Sequence, residues 1–136
     1  LFRMKLFLGG PEEFIPGNDI RNLLEKESLP KEFQFTNDPE EAVKDADVVY
    51  TDVWVSMGCE DEQEERIQKM KPYSVTKELL ARAKPEALFM HCMPTHPGME
   101  VSQEVLDCPQ SIIFDQAENR LHIQKAILST LAQSMI

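Results

Sequence analysis

Three short stretches of the sequence hold side chains that could do chemistry together. The first is Asp52, which follows the β-branched run Val48-Val49-Tyr50-Thr51 and precedes Ser56-Met57-Gly58. The second is His91-Cys92-Met93-Pro94, which ends the apolar run Ala87-Leu88-Phe89-Met90. The third is Asp115-Gln116-Ala117-Glu118-Asn119-Arg120. A carboxylate near a thiol raises the thiol's pKa, so Cys92 beside Asp52 is expected to stay a neutral hydrogen-bonding group and not a thiolate nucleophile. Asp52 is suited to hold an ammonium group, and Ser56 to Gly58 could offer hydroxyl and backbone contacts to a polar ligand. Arg120 at a helix start would suit an anion, or a carbonyl oxygen gaining negative charge. Each has a plainer alternative. Cys92 and His91 could simply close a strand, Asp52 could cap a loop or helix, and Arg120 could pair with Glu118 or Asp115. His91, His96, His122 and the cysteines lack metal-ligand spacing, so no metal site is expected.

The elements that must position these groups alternate along the chain. Strands are predicted at Lys5 to Leu8, Phe33 to Thr36, Val48 to Thr51, Leu88 to His91 and Ile112-Ile113-Phe114. Helical spacing is found at Asp19 to Glu27, after Asn37-Asp38-Pro39, at Val75 to Ala83, at Val101 to Leu106 and from Ala117 to about Ala132. Asp38 reads as an N-cap with Pro39 at the first helical position and Glu41 in capping-box spacing. The charged stretch from Glu60 to Met70 reads as a solvated helix or a mobile loop. Alternation with short connections predicts an α/β fold, a doubly wound parallel sheet of Rossmann-like type. In such sheets ligands bind at the carboxyl ends of the strands, where Asp52, Cys92 and Arg120 would all sit. The Gly-x-Gly-x-x-Gly turn of dinucleotide-binding folds is missing.

Bulk properties narrow the function classes. A chain of 136 residues is one domain's worth, and 42% hydrophobic with 28% charged is ordinary for a globular protein. A net charge of -10 argues against nucleic acid or an anionic membrane as partner, because phosphate contacts need a basic surface. Cys59, Cys92 and Cys108 make an odd count without framework spacing, which points to a reducing compartment. No apolar segment is long enough to span a bilayer, and no signal peptide is visible. The chain enters a strand almost at once without an initiator methionine, and reads as one cut into.

The combination Asp52-Val53-Trp54-Val55-Ser56-Met57-Gly58, His91-Cys92-Met93-Pro94 and Ala117-Glu118-Asn119-Arg120-Leu121-His122 resembles the ornithine carbamoyltransferases. Their motifs read D-x-W-x-S-M-G, H-C-L-P and A-E-N-R in this order and at comparable spacing. The resemblance runs from Met4 to the end. Aspartate carbamoyltransferases share the fold but lack the serine-methionine-glycine loop and carry H-P-L-P. Met93 stands for the usual leucine, a volume-conserving change. Thr95-His96-Pro97-Gly98 stands where many bacterial members have A-H-R-G.

The resemblance implies that residues 1–136 are the carboxy-terminal, ornithine-binding domain. It implies that Asp52, Ser56 and Met57 bind the amino-acid substrate, that Cys92 and Met93 lie by the carbamoyl group of carbamoyl phosphate, and that Arg120 binds its oxygen. Asp52, Cys92 and Arg120 would be the catalytic groups. The reaction would be attack of the δ-amine of ornithine on carbamoyl phosphate, with no metal or organic cofactor, in a homotrimer of the cytoplasm, or of a mitochondrion or plastid in a eukaryote. The family's phosphate-binding S-T-R-T and H-P-x-Q motifs lie outside this sequence. So does the first strand of the second domain, which is central in the family's sheet. Other outcomes would be a non-catalytic interaction or regulatory module, or a carbamoyltransferase for another amine such as putrescine or an acylated ornithine.

Overall fold

The structure is a computed structural model, which describes residues 4–14, 17, 33–55 and 63–134. Four strands are present among the described residues: β1 (Leu6–Gly9), β2 (Phe33–Thr36), β3 (Val48–Thr51) and β4 (Leu88–His91). The helices are α1 (Pro39–Val43), α2 (Gln63–Met70), α3 (Lys77–Leu80), α4 (Gln103–Leu106) and α5 (Ile113–Ser134). Both ladders are parallel. β1 pairs with β2, and β3 pairs with β4 in the register Val48↔Leu88 to Thr51↔His91. The fold is therefore α/β with parallel strands, as expected.

Among the described residues the two ladders form separate two-stranded sheets, not one continuous sheet. A cavity of about 380 Å³ lies between them, lined by Phe7, Leu8 and Gly9 of β1, by β3, and by Ala42, Val43 and Ala46 around α1. α1 packs on β1 and β2, so the β2-to-β3 crossover passes over β1 and along this cavity. A Cβ on Gly9 would come within 2.8 Å of the Ala42 Cβ, so glycine there permits the close approach of α1.

Local chemistry sets the helix ends. The Asp38 side chain accepts from the N–H groups of Glu40 and Glu41, and Pro39 opens the first turn. The capping box closes differently from expectation. Glu41 accepts from the Thr36 hydroxyl, and that hydroxyl in turn accepts the Asp38 N–H. α1 ends as Asp45 turns left-handed, with φ 56°, a conformation short polar residues tolerate.

The core forms on one face of the β3–β4 ladder. Val49 and Phe89, partners in register, are buried with Val43, Val75, Leu80, Val101, Val105 and Ile113. Val75 and Val101 come together through a parallel bridge, so neither belongs to a helix. The expected helices therefore shorten to α3 and α4, with Thr76 capping α3 through a bond from Leu79 N–H to its hydroxyl. The first strand lies one residue later than expected, from Leu6 to Gly9 in place of Lys5 to Leu8.

The expected strand at Ile112-Ile113-Phe114 is not formed. Pairing with β4 is limited to one bridge, Phe89↔Ser111, after which the chain coils directly into α5 at Ile113. Ile113 buries its side chain in the core from that first helical turn. Burial thereby overrides the β preference of a run only three residues long. The charged stretch forms α2 over residues 63–70, where Lys69 bridges Glu65 and Glu13 and Arg66 lies over the Phe14 ring. The helix expected at Asp19 to Glu27 lies outside the described residues.

Candidate functional site

β3 and β4 run parallel and end together at Thr51 and His91, so the next residues, Asp52 and Cys92, leave the sheet side by side. The Cys92 thiol donates to Oδ1 of Asp52 at 2.8 Å. The same oxygen accepts the Val53 N–H at 2.7 Å. Asp52 is thus both a loop cap and a partner of the thiol, and Oδ2 takes part in neither contact. Burial pushes the Cys92 thiol above its ordinary range, and the hydrogen bond and charge of Asp52 push it further. A hydrogen bond from Tyr50 and a backbone N–H act in the opposite direction. The net effect keeps Cys92 protonated at neutral pH, which suits a donor and not an attacking nucleophile.

The loop beyond Cys92 is shaped by a buried pair. His91 and Glu100 are both completely buried, with His91 Nε2 3.4 Å from Glu100 Oε1. His91 Nδ1 accepts the Met93 N–H at 2.9 Å, so the neutral ring carries its proton on Nε2, facing the carboxylate. Oε1 of Glu100 also accepts the His96 N–H at 2.5 Å. Met93 sits in the left-handed region with φ 63° and is followed by a cis bond to Pro94. For a side-chain-bearing residue that region costs roughly 1–2 kcal/mol, and the bond from Met93 N–H to the buried His91 ring holds it there.

α5 reaches the site through Gln116. Its Oε1 accepts the His91 N–H at 3.0 Å, and its Nε2 donates to the Tyr50 hydroxyl at 3.2 Å. One side chain thereby joins the ends of β3, β4 and α5. Arg120 does not start the last helix as expected, because α5 begins at Ile113. It lies one turn beyond Gln116, about 6 Å along the axis, and is exposed. No ion pair joins it to Asp115 or Glu118 among the described residues, and Glu118 instead meets His122 at 3.2 Å. The plainer alternative for Arg120 is therefore not realised, and no bond ties it to Cys92 or Asp52 either.

Of the residues singled out from sequence, the structure joins Asp52 and Cys92 directly. Met93 is half-buried and packs against the core. Ser56 and Met57 lie outside the described residues. Tyr50, Glu100 and Gln116 were not foreseen. Tyr50 carried a signal, since the two-residue period of a strand puts it on the same side as Asp52. Glu100 carried none, because a lone carboxylate in a loop looks solvated until the fold buries it. No group of three or more His, Cys, Asp or Glu side chains that could hold a metal occurs among the described residues.

The family model described as aspartate/ornithine carbamoyltransferase, Asp/Orn binding domain, matches residues 1–131. The chain belongs to the aspartate/ornithine carbamoyltransferase family. The ornithine carbamoyltransferase of Staphylothermus marinus is 52% identical over 129 residues, covering 93% of this chain and 41% of the relative. Among solved structures, the ornithine carbamoyltransferase from Pyrococcus furiosus superposes with a TM-score of 0.81 at 47% identity, over 90% of this chain and 40% of that one. The anabolic ornithine carbamoyltransferase from Campylobacter jejuni gives 0.86 at 32% identity, over 95% and 43%. The chain thus spans about two fifths of the length of the relatives it matches. Its thiol–carboxylate pair lies at the edge where parallel α/β sheets bind ligands.

Proposed function

We propose that residues 1–136 are the ornithine-binding domain of an ornithine carbamoyltransferase, which moves the carbamoyl group of carbamoyl phosphate to the δ-amine of L-ornithine and yields L-citrulline and phosphate. The single observation that carries this reading is the 2.8 Å bond between Cys92 and Asp52 at the shared end of β3 and β4. A protonated thiol beside a carboxylate is a receiver for an amine, not a machine for covalent catalysis.

In this reading Asp52 draws in the ammonium end of ornithine, and Cys92 orients the nitrogen once it has lost its proton. The neutral amine forms the new N–C bond to the carbamoyl carbon, the bond from that carbon to the phosphate oxygen breaks, and the nitrogen sheds a proton. Arg120 faces the carbamoyl oxygen, where it stabilises charge developing in the transition state. Met93 lines the same region, and Ser56 and Met57 contact the amino-acid end of the substrate. No metal or organic cofactor takes part. The phosphate of carbamoyl phosphate is held by polypeptide beyond this chain, and the working enzyme is a homo-oligomer, a trimer by family resemblance.

Two features support assembly with more polypeptide. Phe114, Leu121, Ile123, Ile127, Leu128 and Leu131 of α5 are each more than half exposed, an apolar face that a monomer of this size seldom leaves bare. The cavity between the two ladders is lined by strand edges and apolar side chains. No helix among the described residues is long and apolar enough to cross a membrane, and a cytoplasmic location is part of the proposal.

The test is to supply the rest of a carbamoyltransferase, in one chain or as a co-expressed fragment, and to measure citrulline formation with ornithine, putrescine and N-acetylornithine in competition. Citrulline formation that requires both parts and prefers ornithine supports the reading. Preference for putrescine or N-acetylornithine would replace the substrate, and no turnover with any of the three would make the chain a non-catalytic module.

A further inference from the structure

The edge of β4 that faces away from β3 is closed by the segment leading into α5. Phe89 N–H donates to the Gln110 carbonyl at 2.8 Å, and the Phe89 carbonyl accepts the Ile112 N–H at 3.0 Å, which are two steps of a parallel ladder. One step further, such a ladder would give the His91 N–H to the carbonyl of Ile112. That carbonyl is taken, because it accepts the Gln116 N–H at 2.9 Å as α5 begins to coil. Gln116 makes good the difference with its side chain, whose amide oxygen accepts the His91 N–H at 3.0 Å. Its amide nitrogen donates to the Tyr50 hydroxyl of β3 at 3.2 Å. A glutamine thus stands where another strand would have continued, and it pairs a backbone donor that would be costly to leave unmade.

The same bonds hold α5 to the sheet. Ile113 is buried in the core and Gln116 is half-buried, whereas every residue from Ala117 to Gln133 is exposed. Arg120 follows Gln116 by four positions, which puts it on the same face of the helix and roughly 6 Å along the axis. Helical side chains tilt toward the helix N-terminus, and that tilt carries residue 120 back toward the strand ends. We propose that Gln116 is a positioning residue, which clips the first turn of α5 to His91 and Tyr50 and thereby sets the direction from which Arg120 meets the carbamoyl group. The proposal deepens the reading of Arg120 as the cation facing the carbamoyl oxygen and rests on it. The position calls for an acceptor and a donor at the tip of one side chain, and an amide supplies both. An apolar residue of equal bulk would fill the space but leave the helix held by Ile113 alone, free to roll about its own axis.

The experiment joins amide hydrogen exchange in the 136-residue chain to a double-mutant cycle in the enzyme assembled with the remaining polypeptide. Gln116→Met keeps the bulk and removes both bonds. The His91 amide should then exchange roughly tenfold faster or more, as local opening becomes easier. Unchanged exchange would show that the amide is not the anchor and overturns the proposal. In the assembled enzyme kcat should fall roughly ten- to a hundred-fold, the cost of misplacing a reacting group's partner by about an ångström. KM for ornithine should stay within about twofold, because the lost interaction belongs to the transition state. In an Arg120→Gln background the same change should cost less than about threefold, since the group it aims is gone. A full, independent loss of kcat in that background makes Gln116 merely structural and overturns the proposal. Tyr50→Phe removes one oxygen from an exposed ring and only the donor contact of Gln116, so it keeps the cycle readable where Gln116→Met fails to fold. Its smaller loss of kcat should likewise vanish in the Arg120→Gln background. Exchange that responds as expected in a chain that supports no citrulline formation would overturn the functional reading, and the aim at Arg120 with it, and leave the anchor standing.

Discussion

The Cys92 sulfur and Oδ1 of Asp52 lie 2.8 Å apart, each one residue past the end of its strand. That contact depends on the parallel register of β3 and β4, because a shift of one residue would turn one of the two side chains to the opposite face. The pairing of Thr51 with His91 is therefore as much a part of the site as the functional groups themselves.

Asp52→Asn keeps the shape of the carboxylate and removes its charge. Ornithine affinity in the complete enzyme should fall by roughly ten- to a hundred-fold, in line with about 1.5–3 kcal/mol for a hydrogen bond to a charged group. Titration calorimetry would measure it. Unchanged affinity would mean that Asp52 only caps its loop.

The raised thiol of Cys92 makes a prediction about alkaline stability. The folded chain holds the thiol proton more tightly than the unfolded chain does. Its contribution is complete below the ordinary thiol range and is lost as pH climbs through the raised folded-state value. Denaturant titrations between pH 7 and 10.5 should show stability declining in that window, with a shallower decline in Cys92→Ala. Identical slopes in the two proteins would count against it.

Glu100→Ala strips His96 N–H of its acceptor and leaves His91 Nε2 buried without a carboxylate. The expected loss is about 1–3 kcal/mol, seen as a melting temperature several degrees lower. Turnover of the complete enzyme should fall as well, because the His91 ring no longer holds the Met93 backbone in its left-handed turn.

Arg120→Gln should separate chemistry from folding. The side chain is exposed and pairs with neither Asp115 nor Glu118, so stability should change by less than about 0.5 kcal/mol. Turnover of the complete enzyme should drop roughly a hundred- to a thousand-fold if the guanidinium meets the carbamoyl oxygen. Normal turnover would remove Arg120 from the site.

The sequence by itself determined the parallel α/β plan, the Asp38 cap with Pro39, and the placing of Asp52 and Cys92 at one sheet edge. Those features are local. A β-branched run that stops at a polar residue fixes where a strand ends, and two consecutive strands of an alternating chain pair in parallel. Only the tertiary structure decided the rest. Ile113 became the first turn of α5 because the core had room for it, against its β preference. That moved Arg120 from the helix start to one turn beyond Gln116, and gave Gln116 the place at the strand ends. Glu100 was buried against His91 by the bridge between Val75 and Val101, which brings together segments 26 residues apart. Such pairings depend on where distant segments come to rest, and local propensity carries no information about that.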